Sequence, residues 1–179
     1  MITENYIKEI FALSNPLRSF FRTSEIGKII ISFVFLKRID QILELDNNKV
    51  SDLCIQFQDK SKEELINIFS EEHNIECFNI SSINCDNLKD SDDIEKDFKD
   101  YIEGFSPKIK DILDNLLPPN LFNGIYRAKN KKFFVGLSEL DLSLENVSAE
   151  DMGEIFEYLI YFFAKNDDFG EQFSIYTPK

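Results

Sequence analysis

The 179-residue chain has no Trp, one His and only three Cys. The missing Trp excludes nothing, but the other shortages do. Cys54, Cys77 and Cys85 are odd in number and show no Cys-x-x-Cys spacing. They read as free thiols in a reducing compartment, not as a disulfide framework. His73, in "EEHNIEC", has Cys77 four residues on, and one His with one Cys falls short of a tetrahedral zinc site. It reads as a surface histidine near the end of a helix, and no metal is expected. There is no Gly-rich phosphate loop, no Gly-x-Ser-x-Gly elbow and no His-Glu-x-x-His. A Cys–His nucleophile pair would need Cys54 or Cys85 to fold near His73. No catalytic residue is assigned on this basis.

Other absences bear on location. The start "MITENYIKEI" lacks the basic opening and apolar run of a signal peptide. The most apolar stretch, "IIISFVFL", is far short of the roughly 20 residues that span a bilayer. A cytoplasmic protein with no membrane association is the expectation.

Positive charge is scarce as well. Lys and Arg number 20 against 33 Asp and Glu, for a net charge of −13. This argues against a protein that coats DNA nonspecifically, which needs clustered cations to neutralise phosphates. It leaves room for contact through a local basic patch, or for DNA held mainly by a partner. Two such patches exist. Arg18 and Arg22 lie one helical turn apart, with Lys28, Lys37 and Arg38 further along. Arg127, Lys129, Lys131 and Lys132 form the second, interleaved with Tyr126 and Phe133. Phosphate contact and salt-bridging to neighbouring acids compete as explanations for both. The paired carboxylates, including Asp151, Glu154 and Glu157, read as solvated faces.

What the chain has in quantity is apolar surface to bury: 43% hydrophobic residues and 18 Phe, enough for a core without staples. The punctuation is helical. "TENYIKEIFAL" puts Tyr6, Ile7, Ile10 and Phe11 on one face and stops before Asn15-Pro16. "TSEIGKIIISFVFLKRIDQILEL" carries Thr23 or Ser24 as cap, is apolar nearly all round from Ile29 to Leu36, and continues through Ile39, Ile42 and Leu43 without a turn signal. That length predicts a central buried helix over a strand. "SKEELINIF" opens on a Ser61–Glu64 capping box. Ser91 is expected to cap "DDIEKDFKDYIEG", which ends at Gly104. Ser106 and Pro107 open a helix with Ile109, Ile112, Leu113, Leu116 and Leu117 as its stripe. Ser148 and Asp151 begin the last one, with Met152, Ile155, Phe156, Leu159 and Phe163 inward. Between them, "LFNGIYRAKNKKFFVGLSELDL" fits strand and helix alike. "NIECFNISSINCDNLKDSDD" reads as a loop or a mobile insertion. The fold class expected is all-α: one mainly helical domain of about six or seven helices, with an irregular acidic loop in the middle.

Three of these stretches together resemble the methyltransferase (M) subunit of type I restriction-modification systems. "PLRSFFRTSEIGKIIISFVFLKRID" is similar to that family's opening, through Leu17-Arg18 and Phe35-Leu36-Lys37-Arg38. "YIEGFSPKIKDIL" resembles its Gly-Phe-Ser segment at Gly104, Phe105, Ser106, Ile112 and Leu113. "DMGEIFEYLIYFFAKNDDFGEQFSIYTPK" resembles its Met-Gly-x-x-Phe-Glu-x-Leu-Ile helix, at Met152, Gly153, Phe156, Glu157, Leu159 and Ile160.

The resemblance implies an N-terminal helical domain, residues 1–166, followed by a junction, 167–179, that leads toward a methyltransferase domain. In that family the whole protein uses S-adenosylmethionine to methylate adenine in DNA, on a base extruded from the duplex. Its implied partners are a specificity subunit, a second M subunit, a restriction subunit and, through the full complex, DNA. The helical domain is expected to help close the assembly around DNA. Arg18, Arg22, Lys37, Arg38, Lys131 and Lys132 are then the candidates for DNA contact. Tyr176, Thr177 and Pro178 carry over only as a rim of the cofactor site. The Asn/Asp-Pro-Pro-Phe/Tyr and Phe-x-Gly-x-Gly motifs are absent, since "SNPLR" and "LPPNL" fit neither. No cofactor is therefore expected in this chain by itself. The rival expectation is a free-standing acidic interaction protein, a regulator or a DNA mimic acting on a restriction complex.

Overall fold

The computed structural model describes residues 2–44, 47–116 and 131–165. Among them are eight α-helices, and the only β pairing is a single antiparallel bridge between Asn79 and Phe105. The helices are α1 (Ile2–Ala12), α2 (Thr23–Leu43), α3 (Asn47–Gln56), α4 (Lys62–Asn67), α5 (Ile94–Glu103), α6 (Pro107–Leu116), α7 (Lys131–Glu139) and α8 (Ala149–Lys165). Short 3₁₀ turns cover Asn15–Leu17 and Asn87–Asp90, and α4 runs on into a π turn over Ile68–Glu72. The chain is all-α, as its periodicities predict, and none of the described helices is long and apolar enough to cross a membrane.

α2 is the axis of the fold, because its apolar run leaves little polar surface to turn outward. Ile26, Ile29, Ile30, Phe33, Val34 and Leu36 are all buried. Its broadest contact is with α8, and it also meets α7. The Phe33 ring is a hub: it lies 5.5 Å from Phe98, 5.2 Å from Phe133 and 5.7 Å from Phe134. Such edge-on and tilted aromatic contacts contribute beyond their area. Gly27 permits the α2–α8 approach, since a Cβ there would sit 2.6 Å from the Phe163 ring.

The local start signals fare unevenly. The Ser61–Glu64 capping box forms, with Glu64 N–H donating to Ser61 Oγ at 3.3 Å and Ser61 N–H to Glu64 Oε2 at 2.9 Å. Ser148 and Asp151 pair in the same reciprocal way at the head of α8. At α2, however, neither Thr23 nor Ser24 is the cap; the chain enters through Arg22, whose N–H donates to Glu25 Oε2 at 2.9 Å. At α5 the cap is Asp93, which accepts from Lys96 N–H at 3.2 Å, while Ser91 donates to Asp97 instead. A carboxylate nearer the helix displaces the hydroxyl two residues before it. Ser106 precedes α6 as expected, but its hydroxyl is buried and has no hydrogen-bond partner.

Two further expectations resolve or fail. The described part of the ambiguous stretch, 131–139, is helical: Phe133, Phe134 and Leu137 are buried and Val135 is exposed. Burial at i, i+1 and i+4 is the helical pattern, and the strand reading would have put Val135 inside with its neighbours Phe133 and Leu137. The irregular stretch before α5 lacks α-helix, as expected, but it is no loose insertion. Phe78, Cys85 and Leu88 are buried. Its Asn and Ser side chains satisfy its own backbone: Asn79 Oδ1 accepts from Ser81 N–H at 2.8 Å, and Asn84 Oδ1 from Asp86 and Asn87 N–H, both at 3.0 Å. Ser106 N–H to the Phe78 carbonyl (3.0 Å) and Ile80 N–H to the Gly104 carbonyl (2.9 Å) stitch it to the end of α5.

Candidate nucleic-acid interface

The six candidate cations divide into two groups. Lys37 and Arg38 lie on the buried α2 axis and do not present their charge to solvent. Lys37, with its side chain 2% exposed, pairs with Asp86. Arg38 is buried and donates through Nη1 to the Leu142 carbonyl, and burial lowers its guanidinium below its ordinary value. For these two, internal pairing is the outcome: they tie α2 to the two irregular stretches that flank α5–α7. Phosphate contact would require pulling a desolvated cation off its internal partner, which is costly.

The other four are on the surface. Arg18 and Arg22 are exposed and make no ion pair with any described acid. They flank the turn between the 3₁₀ segment and α2. That turn is closed by backbone hydrogen bonds: Leu17 N–H donates to the Ser14 carbonyl, and both Phe20 and Phe21 N–H to the Leu17 carbonyl, at 3.0 to 3.1 Å. Leu17 is fully buried beneath it and Phe21 half-buried, whereas Phe20 stands 58% exposed. Lys131 and Lys132 are exposed at the first turn of α7. α7 contacts the 3₁₀ segment, and Lys132 lines a groove of about 690 Å³ together with Asn15 and Pro16. Two basic stretches more than 100 residues apart in sequence thus flank one 3₁₀ turn. Glu9 and Glu139 also line the groove, so its field is mixed, and the purely basic part is the Arg18–Arg22 turn. Arg127 and Lys129, and Tyr176, Thr177 and Pro178, lie outside the described residues.

Nothing about the thiols favours a nucleophile. Cys85 is fully buried, with Sγ 3.5 Å from Tyr101 Oη, and burial pushes its thiol well up. Burial raises the half-buried Cys54 too. An activated thiol needs the opposite shift. His73 sits beside Phe57, ring centroids 6.4 Å apart, at the end of the π turn. No group of His, Cys, Asp and Glu among the described residues is arranged to hold a metal.

A buried polar centre escaped the sequence reading. Asp40 accepts from Tyr101 Oη through Oδ1 and from Cys85 N–H through Oδ2, both at 2.8 Å. Burial pushes its carboxyl up to about 6 against those stabilising bonds. Asp40 also lines a cavity of about 210 Å³ with Leu43, Val50, Cys77 and Phe78. The signal was visible: Asp40 falls on the inward spacing of the most apolar helix. Bonded to Tyr101 of α5 and to the Cys85 backbone, the centre fastens elements together.

The outer side of α8 is divided along its length. Glu150, Glu154 and Glu157 are exposed, without a basic partner among the described residues. They are followed by exposed Tyr158, Tyr161 and Phe162. Phe162 lies 4.3 Å from the Phe11 ring of α1, and Lys165 sits over Tyr161 at 5.7 Å.

Compared with known proteins, the chain matches no curated protein and no solved structure. A family model does match, over residues 7–140, from α1 through the end of α7. α8 lies beyond that span yet belongs to the same core, through Met152, Ile155, Leu159 and Phe163. Matched over three-quarters of its length by a model of the HsdM N-terminal domain, the chain belongs to that family, the N-terminal domain of the M subunit of type I restriction-modification systems.

Proposed function

We propose that this chain is the assembly and DNA-clamping domain of a type I DNA adenine methyltransferase subunit, and is not catalytic by itself. The observation that carries the reading is the family match over 7–140 on an all-helical domain whose buried cations and carboxylates are spent on holding the fold. Neither the Asn/Asp-Pro-Pro-Phe/Tyr motif nor a Phe-x-Gly-x-Gly loop is present, so no step of methyl transfer is assigned to it. S-adenosylmethionine belongs to the full-length protein in this reading. The specificity subunit, a second M subunit and the restriction subunit are its partners in the cytoplasm. DNA is met through the complex, with Arg18, Arg22, Lys131 and Lys132 as the cations free to approach phosphates.

A second reading has one observation in its favour. Exposed Glu150, Glu154 and Glu157, without a basic partner among the described residues, and the net charge of −13 suit a free-standing acidic protein that occupies a restriction complex in place of DNA. The coding sequence after Lys179 separates the two. A downstream Phe-x-Gly-x-Gly and Asn-Pro-Pro-Phe/Tyr favour the clamping domain, and a stop codon sinks it. Independently, titration calorimetry of the 179-residue chain with S-adenosylmethionine should give no heat of complex formation. A stoichiometric complex would overturn the assignment of the cofactor to the rest of the protein.

A further inference from the structure

Phe20 is the most exposed phenylalanine among the described residues, at 58%. Full burial of a Phe side chain is worth about 1.5–3 kcal/mol, and the adjacent Phe21 takes part of that gain by packing against the core. Phe20 is not loose chain. Its own N–H and that of Phe21 are both fixed on the Leu17 carbonyl, and Leu17 is fully buried. The ring is therefore presented on a hydrogen-bonded turn anchored by a buried residue, which lowers the ordering cost on contact.

On either side of it stand Arg18 and Arg22, exposed and without an acidic partner among the described residues. In a chain with 33 acids against 20 Lys and Arg that is a notable exclusion. The nearest acid in sequence, Glu25, is turned back onto the Arg22 backbone N–H at 2.9 Å. The turn thus carries two exposed guanidinium groups, in no ion pair among the described residues, around one exposed ring, on a chain of net charge −13.

We propose that Arg18, Phe20 and Arg22 form a DNA-binding knuckle. The two arginines take phosphates, and the Phe20 ring packs on sugar or base edge between them. Arginine suits phosphate oxygens through its planar fork of donors. An apolar wedge beside such contacts is a recurrent device for gripping a groove or an unstacked base. The inference rests on the reading that this domain meets DNA, and adds which residues touch it and how. Long-range repulsion from the rest of the chain does not forbid the contact, since screening at about 0.1 M salt confines each charge to about 10 Å.

The test is fluorescence anisotropy of the 179-residue chain with a labelled 20-base-pair duplex of arbitrary sequence, over a salt series centred on about 0.1 M. Arg18→Ala/Arg22→Ala should weaken binding more than tenfold and reduce the slope of log K against log salt by about two, at roughly 0.9 per phosphate contact. Phe20→Ala should weaken binding by about tenfold with the slope unchanged, and Phe20→Leu by less. The charge-matched control Lys96→Ala/Lys99→Ala, on the exposed side of α5, should leave affinity within about twofold; Lys99 is 75% exposed. All these positions are exposed, so melting temperatures should not move and misfolding is separable from lost contact.

No binding by the wild-type chain overturns the proposal. So does equal binding by all variants, although DNA contact elsewhere on the domain would then stand and the clamping reading with it. If the duplex is ignored but Phe20→Ala weakens co-elution with the specificity subunit, the knuckle is a protein anchor and DNA is not its ligand.

Discussion

The structure holds two apolar clusters built from the same residue types on very different scales. Among the described residues, the main core gathers 27 buried ones from α1, α2 and α5 through α8 and the segments between them. The second consists of Val50, Leu53, Phe69 and Phe78, with partly buried Cys54, Phe57, Leu65 and Ile80 around them. Among the described residues Phe33 in the first meets the rings of Phe98, Phe133 and Phe134, whereas Phe69 in the second meets Phe78, at 5.2 Å. Equal side chains therefore do unequal work. One cluster sets whether the chain folds; the other sets whether α3 and α4 stay docked. Regions with few buried apolar contacts open at lower free energy than the core.

The sharpest way to break this contrast is to cut the same group from each side. Phe33→Ala should cost about 3–5 kcal/mol and lower the global urea midpoint. Phe69→Ala should leave that midpoint nearly in place and instead speed amide exchange across residues 47–72. If both variants shift the global transition equally, the clusters are one cooperative unit and the contrast is wrong.

Next in size is the seam between them. Gly104 ends α5, and a Cβ there would sit 2.2 Å from Asn79 Oδ1 and 2.8 Å from the Ser81 backbone nitrogen. The second of these is backbone and cannot swing aside. Gly104→Ala should cost about 1–3 kcal/mol as overpacking, and exchange should quicken first at Ile80 and Ser106, whose N–H groups cross the seam. A neutral Gly104→Ala would mean the stretch 78–81 is not tightly held.

Asp40 gives a pH handle on the same seam. Its folded-state carboxyl is raised to about 6, above the unfolded value near 3.9. The native state therefore binds the proton more tightly, so this group's stability is full below about 4 and is lost as pH rises through about 6. Urea stability should thus rise by about 1 kcal/mol from pH 7.5 to 5 on account of Asp40. The groups acting on it are Tyr101 from α5 and Cys85 and Asp86 from the irregular stretch; Lys37, on its own helix, acts on the neighbouring Cys85. Depressed carboxylates, Glu64, Glu76, Asp100 and Asp141, act in the opposite sense but below this window. Asp40→Asn should flatten the rise, and it should lower stability at pH 7.5, because its amide puts a donor against Tyr101 or Cys85. A wild-type curve flat between pH 7.5 and 5 would refute the shift.

These contrasts also sort what was legible in the sequence. Features closed by neighbours in the chain could be read: the Ser61–Glu64 and Ser148–Asp151 caps span three residues each, and α2's burial follows from an unbroken apolar run. Lys37 and Arg38 could not be read, because their partners, Asp86 and Leu142, lie 49 and 104 residues away. The stretch before α5 passed for a loop because its Asn and Ser side chains satisfy its backbone locally. Only tertiary packing reveals that Phe78, Cys85 and Leu88 are inside. Phe20 stayed hidden for the reverse reason, since "SFF" gives no sign of which ring faces out.

The smallest effect tests whether α8 is finished on its outer face. Gly153 is one of the residues that carry the likeness to the M-subunit family, yet a Cβ there would meet nothing within 4 Å. A glycine inside a helix costs roughly 0.5–1 kcal/mol relative to alanine, and no contact among the described residues requires it. Gly153→Ala should therefore raise the stability of the isolated chain by about 0.5–1 kcal/mol, read as a higher urea midpoint with an unchanged m-value. Unlike Phe69→Ala, it should leave exchange in α3 and α4 as it was, because the buried described residues of α8 belong to the main core. The same variant in the assembled complex then separates two causes. If assembly is unaffected, the glycine is a tolerated weakness of the helix. If assembly is impaired while the isolated chain is stabilised, Gly153 is reserved for the close approach of another backbone along the row of Glu150, Glu154 and Glu157.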